Sequence, residues 1–324
     1  MKSGVTRLNF KVVDFHCDAL SKMRLYPGMD FNTDDRLDVT AERMKQGNVM
    51  LQCFAIFLSK QFGSPNMAHI LDQIDIYNAR VVPSGIYPIR FAEEVEQWES
   101  NGGLGGLLSL EGADGLEGNL HYLQICFDLG VRFLGITWNH ANWAADGILE
   151  PRDGGFTVKG VQLVHLCHQL GMMLDVSHLS QKGFWELVEL AEEAERPFIA
   201  SHSNAYEICD HVRNLHDDQI QAIIRMNGRI GVTFVPWFVH KGGAPSSKQL
   251  LPHLEHICAL GGENSIMFGS DFDGIDDHLS DLDHCGRYSE WVETLLKHYP
   301  ERLVRGWLYD NAVSFLRTWL PKSP

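Results

Sequence analysis

The sequence predicts an α/β protein, a (β/α)8 TIM barrel, and three observations carry that prediction. Eight short apolar or β-branched runs alternate with amphipathic, helix-like segments along the 324 residues, and such alternation demands parallel pairing through crossover connections. Several runs stay apolar until their last residues and then end on His, Asp or Glu, as barrel strands do where they meet at one rim. No linker, repeat or low-complexity stretch divides residues 1–324, which we read as a single barrel domain with a C-terminal helical tail. A doubly wound open sheet is the alternative topology.

The strands are expected at 11–18, 48–58, 105–111, 132–138, 172–177, 197–202, 229–235 and 266–271. Helices are expected at about 40–46, 66–80, 118–129, 160–170, 181–194, 217–226 and 247–260, with a helical tail from about 287 to 319. In the first strand, Asp14, His16 and Asp18 alternate, so a regular strand would project all three from one face and turn Cys17 to the core. Asp217 and Asp218 open a helix as N-terminal acids should, and Gly171 and Gly228 follow helices as C-caps. Gly102 to Gly106 precede a strand, which makes them an entry turn and not a phosphate cradle. Lys241 to Ser247 read as a loop after the seventh strand, a candidate lid. In the tail, Trp291, Trp307 and Trp319 offer apolar surface for the core or for an interface.

Lys and Arg number 27 against 42 Asp and Glu, a formal net charge of −15. That balance repels phosphate backbones and anionic lipid surfaces, so neither nucleic acid nor a membrane is an expected partner. Seven scattered cysteines contain no C-x-x-C pair and read as reduced, buried residues. No apolar run approaches the ~20 residues a membrane span needs, and Met1 to Arg7 open on no apolar leader segment. The expected location is cytoplasmic.

The polar strand ends carry the function. They are His16 and Asp18, Glu111, Thr137 to His140, His178, His202 and Asp271. In a barrel they converge on one mouth, and clustered His, Asp and Glu mark metal or catalytic sites. Imidazole and carboxylate without thiolate suit Zn²⁺, with Mn²⁺, Co²⁺ or Fe²⁺ as alternatives. Five or more such groups exceed what one tetrahedral ion needs. Two ions about 3.5–4 Å apart, sharing a bridging carboxylate, would use them all.

The motifs Asp14-Phe15-His16-Cys17-Asp18, Glu111-Gly112, Asp175-Val176-Ser177-His178, Ser201-His202-Ser203-Asn204-Ala205-Tyr206, Val212-Arg213-Asn214 and Gly269-Ser270-Asp271-Phe272-Asp273-Gly274 resemble, in order, those of the renal or membrane dipeptidases, peptidase family M19. The resemblance implies an amidohydrolase-type barrel holding two Zn²⁺, with His16 and Asp18 on one ion, His178 and His202 on the other, and Glu111 bridging. It implies that Asp271 contacts the bridging water and the substrate amino group, and that Arg213 grips the free carboxylate of a small dipeptide. Asp271 then suits a proton carrier between water and leaving amine. A guanidinium fork suits the carboxylate, while pairing with Asp210 or Asp217 is the plainer use of Arg213. Asp14 reads as support for the site or as a buried acid satisfying amides.

At the fourth strand the family usually shows Thr-His, with the His assisting the substrate carbonyl, whereas this chain reads Thr137-Trp138-Asn139-His140. His140 is the candidate for that role, both catalytic and substrate-binding. The expected activity is hydrolysis of L,L and L,D dipeptides, and family habit suggests a homodimer. Alternatives are hydrolysis of a lactam or N-acyl amino acid, or a non-catalytic scaffold. Many amidohydrolase barrels bridge their metals with a carboxylated Lys on strand four, but no Lys occurs between Arg132 and Arg152, so Glu111 is the available bridge.

Overall fold

The structure, a computed structural model, describes residues 10–323. Met1 to Arg7, read above for a leader, lie outside the described residues. Nine parallel strands form one sheet: β1 (Val12–Cys17), β2 (Val49–Phe57), β3 (Ile86–Pro88), β4 (Leu104–Glu111), β5 (Val131–Gly135), β6 (Met173–Asp175), β7 (Ile199–Ala200), β8 (Arg229–Val232) and β9 (Ile266–Phe268). The order β2-β1-β9-β8-β7-β6-β5-β4 is closed by a β2–β4 ladder running from Leu51 opposite Gly105 to Phe57 opposite Glu111. Eight strands therefore make the closed barrel the alternation predicts, and the open sheet is excluded. The ninth, β3, pairs only with the start of β4, below the point where β5 joins it.

All expected helices form, the tail as Tyr288–His298, Glu301–Arg305 and Asn311–Trp319 with a π-turn between the last two. Sequence reading passed over β3 and the helices Ala19–Leu25 and Ala92–Asn101. The second of these buries only Val95 and Trp98 and is held by its start, where the Glu94 carboxylate accepts from the backbone N–H of Arg90 and Phe91. That local cap outweighs its weak apolar periodicity. No described helix is long and apolar enough to cross a membrane.

The apolar core has two layers. Val13, Phe15, Leu107, Phe133, Met173 and Met267 fill the barrel interior, joined by Ala312, Phe315 and Leu316 of the tail. A larger layer lies between strands and surrounding helices. Trp291 and Trp307 are buried there, so they serve the core.

Three local readings are corrected. The alternation in β1 does not run unbroken: Val13 and Phe15 face the interior, Asp14 bonds outward to Tyr288, and the β1–β2 register shifts between Asp14 and Cys17. Asp14 therefore lies off the face that carries His16. The left-handed residue after the helix Asp217–Arg225 is Asn227, not Gly228. Asn tolerates that conformation, and Gly228 is there because a Cβ would lie 2.2 Å from the Phe198 carbonyl oxygen. Gly105 and Gly106 belong to β4 itself, and a Cβ on Gly106 would meet Tyr77 and Ile86 at 2.5 and 2.6 Å.

Candidate active site

Only His16 and Glu111 of the candidate residues lie within regular strands. Asp18 follows β1 directly, while His178, His202 and Asp271 stand two or three residues past the ends of β6, β7 and β9, where chain freed from the ladder can turn inward. The fold brings all six to the barrel mouth. His16 Nε2 lies 3.3 Å from Asp18 Oδ2, 3.4 Å from Glu111 Oε2 and 3.7 Å from Asp271 Oδ1. On the far side, Glu111 Oε1 is 2.8 Å from His178 Nε2 and 3.9 Å from His202 Nε2. Glu111 thus faces one imidazole with one oxygen and two with the other.

The outer nitrogens fix what the inner ones can do. Asn139 Oδ1 lies 2.8 Å from His178 Nδ1 and can only accept there, so Nδ1 carries the proton and Nε2 presents a lone pair. The Ser201 hydroxyl donates to Asp175 Oδ2 and accepts from His202 Nδ1 at 2.7 Å, with the same result. Asp175 is itself held by Ser177 Oγ at 2.8 Å and the Ser201 backbone N–H at 2.9 Å. These outer bonds point both Nε2 lone pairs at one place, 2.9 Å apart. Two facing lone pairs repel unless a proton or a cation lies between them.

Three further observations fit a cation. His16 Nε2 and Asp18 Oδ1 are buried without a hydrogen-bond partner among the described residues, an arrangement that costs free energy in a protein left to itself. His16, Glu111 and His202 can place ligand atoms within 4.8 Å of one another, as can His16, Asp18 and Asp271. The donor set of imidazole nitrogen and carboxylate oxygen is one that divalent metals take.

The charges are strongly coupled. Burial works to lower the His16 pKa, but Glu111 and Asp18 outweigh it and hold His16 well above the usual imidazole range. Burial works to raise Glu111, and His16 and His178 hold it well below the usual carboxylate range. Burial, with Arg213 beside it, pushes His178 down to about 4, and His202 is pushed well below its ordinary value by burial and by His16. Both stay neutral, as metal-ligating imidazoles must, whereas His16 would have to give up its proton to take a metal.

Asp271 sits at φ +69°, in the left-handed region, with its backbone N–H donating to the His16 carbonyl and its own carbonyl accepting from Gly274. A non-glycine residue held there is strained, a feature that gathers at functional sites. Burial and then the neighbouring Asp18 and Glu111 push its carboxyl well above the ordinary range, against the pull of His16 and Arg213. Gly274 closes the turn: a Cβ there would stand 2.4 Å from Asp18 Oδ2 and 2.6 Å from Asp271 Oδ1.

Arg213 is buried with its guanidinium over the Phe238 ring. Its Nε and Nη2 have no acceptor among the described residues, so it pairs with neither Asp210 nor Asp217. A cavity of about 480 Å³ joins Arg213 to Asp18, Glu111, His178 and Asp271, within the ~300–1,000 Å³ typical of small-molecule sites. His140 is exposed and does not line that cavity, whereas Trp138 and Asn139 do. None of residues 241–247 lines it. Sequence reasoning assigned nothing to Asn139, Asp175, Ser201 or Gly274; Asp175, Ser201 and Gly274 stood within the quoted motifs, and only their partners show what they do.

A parallel barrel with buried imidazoles, carboxylates and an unpaired guanidinium at the C-terminal ends of its strands defines the class of metal-dependent hydrolases. The chain belongs to the membrane dipeptidase family, peptidase family M19, whose model matches residues 6–319. It is a peptide-bond hydrolase of that family. A protein encoded in the pqqA 5′ region of Klebsiella pneumoniae is 34% identical over 235 residues, covering 67% of this chain and 84% of that one. An uncharacterised dipeptidase of Schizosaccharomyces pombe is 27% identical over 309 residues, 87% of this chain and 73% of its own. Among solved structures, a Rhodobacter sphaeroides metallopeptidase liganded with a phosphinate mimic of the dipeptide L-Ala-D-Ala superposes with a TM-score of 0.86 at 26% identity, covering 96% of this chain and 99% of that one.

Proposed function

We propose that this protein is a zinc-dependent dipeptidase that hydrolyses small dipeptides with free termini, L,L and L,D. The observation that carries the reading is the buried Arg213 guanidinium, with two unpaired N–H groups, opening on the same cavity as the His and carboxylate cluster. A dipeptide whose carboxylate is held there has its one peptide bond in the cavity that the cluster also lines. Two Zn²⁺ would be held by His16 and Asp18 on one side and His178 and His202 on the other, with Glu111 between them. When bound, such a pair supplies Lewis acidity, acidifying water and polarising a carbonyl.

The chain's own residues do the rest. Arg213 orients the dipeptide through a bidentate contact with its carboxylate. Asp271 receives the proton of the attacking water and returns it to the departing amine, and its carboxylate also contacts the substrate amino group. Asn139 and Ser201 hold the ligand imidazoles in one tautomer. His140, exposed at the rim, is the proposed partner of the substrate carbonyl and would have to move inward to reach it. The L,D part draws on the phosphinate complex of the R. sphaeroides enzyme. Seven free cysteines favour a reducing, cytoplasmic setting, and a homodimer is the proposed assembly, to be read by sedimentation.

The test is a panel of L,L and L,D dipeptides assayed with and without added Zn²⁺, alongside Asp271→Asn. Zinc-dependent cleavage, lost by a factor of about 10³ in the Asn variant, is expected. Failure of metal-replete protein to cleave any dipeptide, or full activity in the variant, sinks the mechanism.

A further inference from the structure

The end of β5 presents an aromatic ring to the cavity where the family pattern has a titratable one. Trp138 is half-buried, lines the cavity, and stands 5.2 Å from the Phe57 ring at the end of β2 and 6.2 Å from the His178 ring, centroid to centroid. Leu149, exposed, continues the same wall. Beside Arg213 the cavity has two further aromatics: Phe238, covered by the guanidinium at 5.4 Å and by the His211 ring at 4.4 Å, and Trp237, exposed and edge-on to Phe238 at 6.0 Å. The aromatic surface at the ends of β2 and β5 is that of Phe57 and Trp138.

Strand order says which end of a substrate meets it. From β2 to β7 is four steps around the barrel in either direction, so Phe57 lies across the mouth from the loop that carries Arg213. A dipeptide anchored by its carboxylate on Arg213 and stretched over the Glu111 cluster brings its N-terminal residue to the Phe57 side. Resting on the dipeptidase reading, we propose that Trp138 and Phe57 form a specificity wall that selects dipeptides with a bulky apolar N-terminal side chain. Each ring offers apolar area that a large side chain covers and a methyl group does not.

The experiment measures kcat and KM separately for Phe-Ala, Leu-Ala, Ala-Phe and Ala-Ala with zinc-loaded wild type, Trp138→Ala, Trp138→Phe and Phe57→Ala, with zinc content of each variant as the check on folding. Apolar pockets discriminate by roughly 10–200-fold per methylene at best, so wild type should favour Phe-Ala and Leu-Ala over Ala-Ala by at least about tenfold in kcat/KM. Trp138→Ala should bring that ratio close to one, chiefly through KM, Phe57→Ala should lower it, and Trp138→Phe should keep most of it. A wild type that cleaves Ala-Ala equally well, or prefers Ala-Phe to Phe-Ala, overturns the wall while leaving the dipeptidase reading intact. So does an equal loss on every substrate in Trp138→Ala and Phe57→Ala. Cleavage of no dipeptide at all overturns the reading beneath it.

Discussion

Arg213 shows how much a single side chain decides. Burial pushes its guanidinium down to about 10 even with Asp271, Glu111 and Asp175 nearby, so it stays charged at neutral pH and lacks only an anion. Arg213→Lys should raise KM for dipeptides about 10–100-fold with kcat changed only a few-fold, since an ammonium keeps the charge and loses the fork; steady-state kinetics check this. Ser201→Ala should weaken zinc binding about 10–100-fold, read by competition with a chromogenic chelator, because His202 loses the acceptor that fixes its tautomer. At this scale the sequence made the polar strand ends legible, since His16, Asp18, Glu111, His178, His202 and Asp271 each interrupt an apolar run. It did not make Ser201 or Asn139 legible, because a hydroxyl or amide acquires a role only from a partner that folding supplies.

Elements are legible where periodicity is strong and illegible where a local device overrides it. β1 is the example: two-residue alternation puts Asp14, His16 and Asp18 together, and a register irregularity instead sends Asp14 out to Ser270 and Tyr288 while His16 faces the mouth. The turn after β9 is a second case, its shape set by two Asp residues at positive φ and by Gly274 pressed against two carboxylates. Gly274→Ala should displace Asp18 or Asp271 and cut kcat/KM by about 10², with melting temperature little changed. The same turn is clamped to the loop before the helix Ala41–Gly47 by His278, whose Nε2 lies 2.9 Å from Asp38 Oδ2. The bond to Asp38 holds His278 above its ordinary 6.5, against partial burial. A raised folded value means the stabilisation is complete below about pH 6.5 and fades as pH rises through the folded pKa. His278→Gln should therefore destabilise the protein more at pH 6 than at pH 8.5, by about 1 kcal/mol for a pair whose imidazole is partly exposed, and a melting series across that range tests it.

The whole molecule couples its stability to its site. Asp18, Glu111 and Asp271 crowd around His16 in a buried mouth, and ligands that bind the folded state alone stabilise it by mass action. Dialysis against a chelator should lower the melting temperature by several degrees and added Zn²⁺ should restore it, since free metal at 100 times its Kd is worth about 2.7 kcal/mol. Calorimetry decides it. The barrel itself was legible from alternation alone, whereas the route by which the tail covers its base was not, because amphipathic helices reveal an apolar face and never its partner. Ala312, Phe315 and Leu316 seal that base against Phe15 and Phe133. The tail closes one end of the barrel and the cavity opens at the other. On the proposed reading, both released amino acids leave by the mouth the substrate enters, and the one whose carboxylate suits Arg213 would compete with it, a brake that product-inhibition kinetics would read.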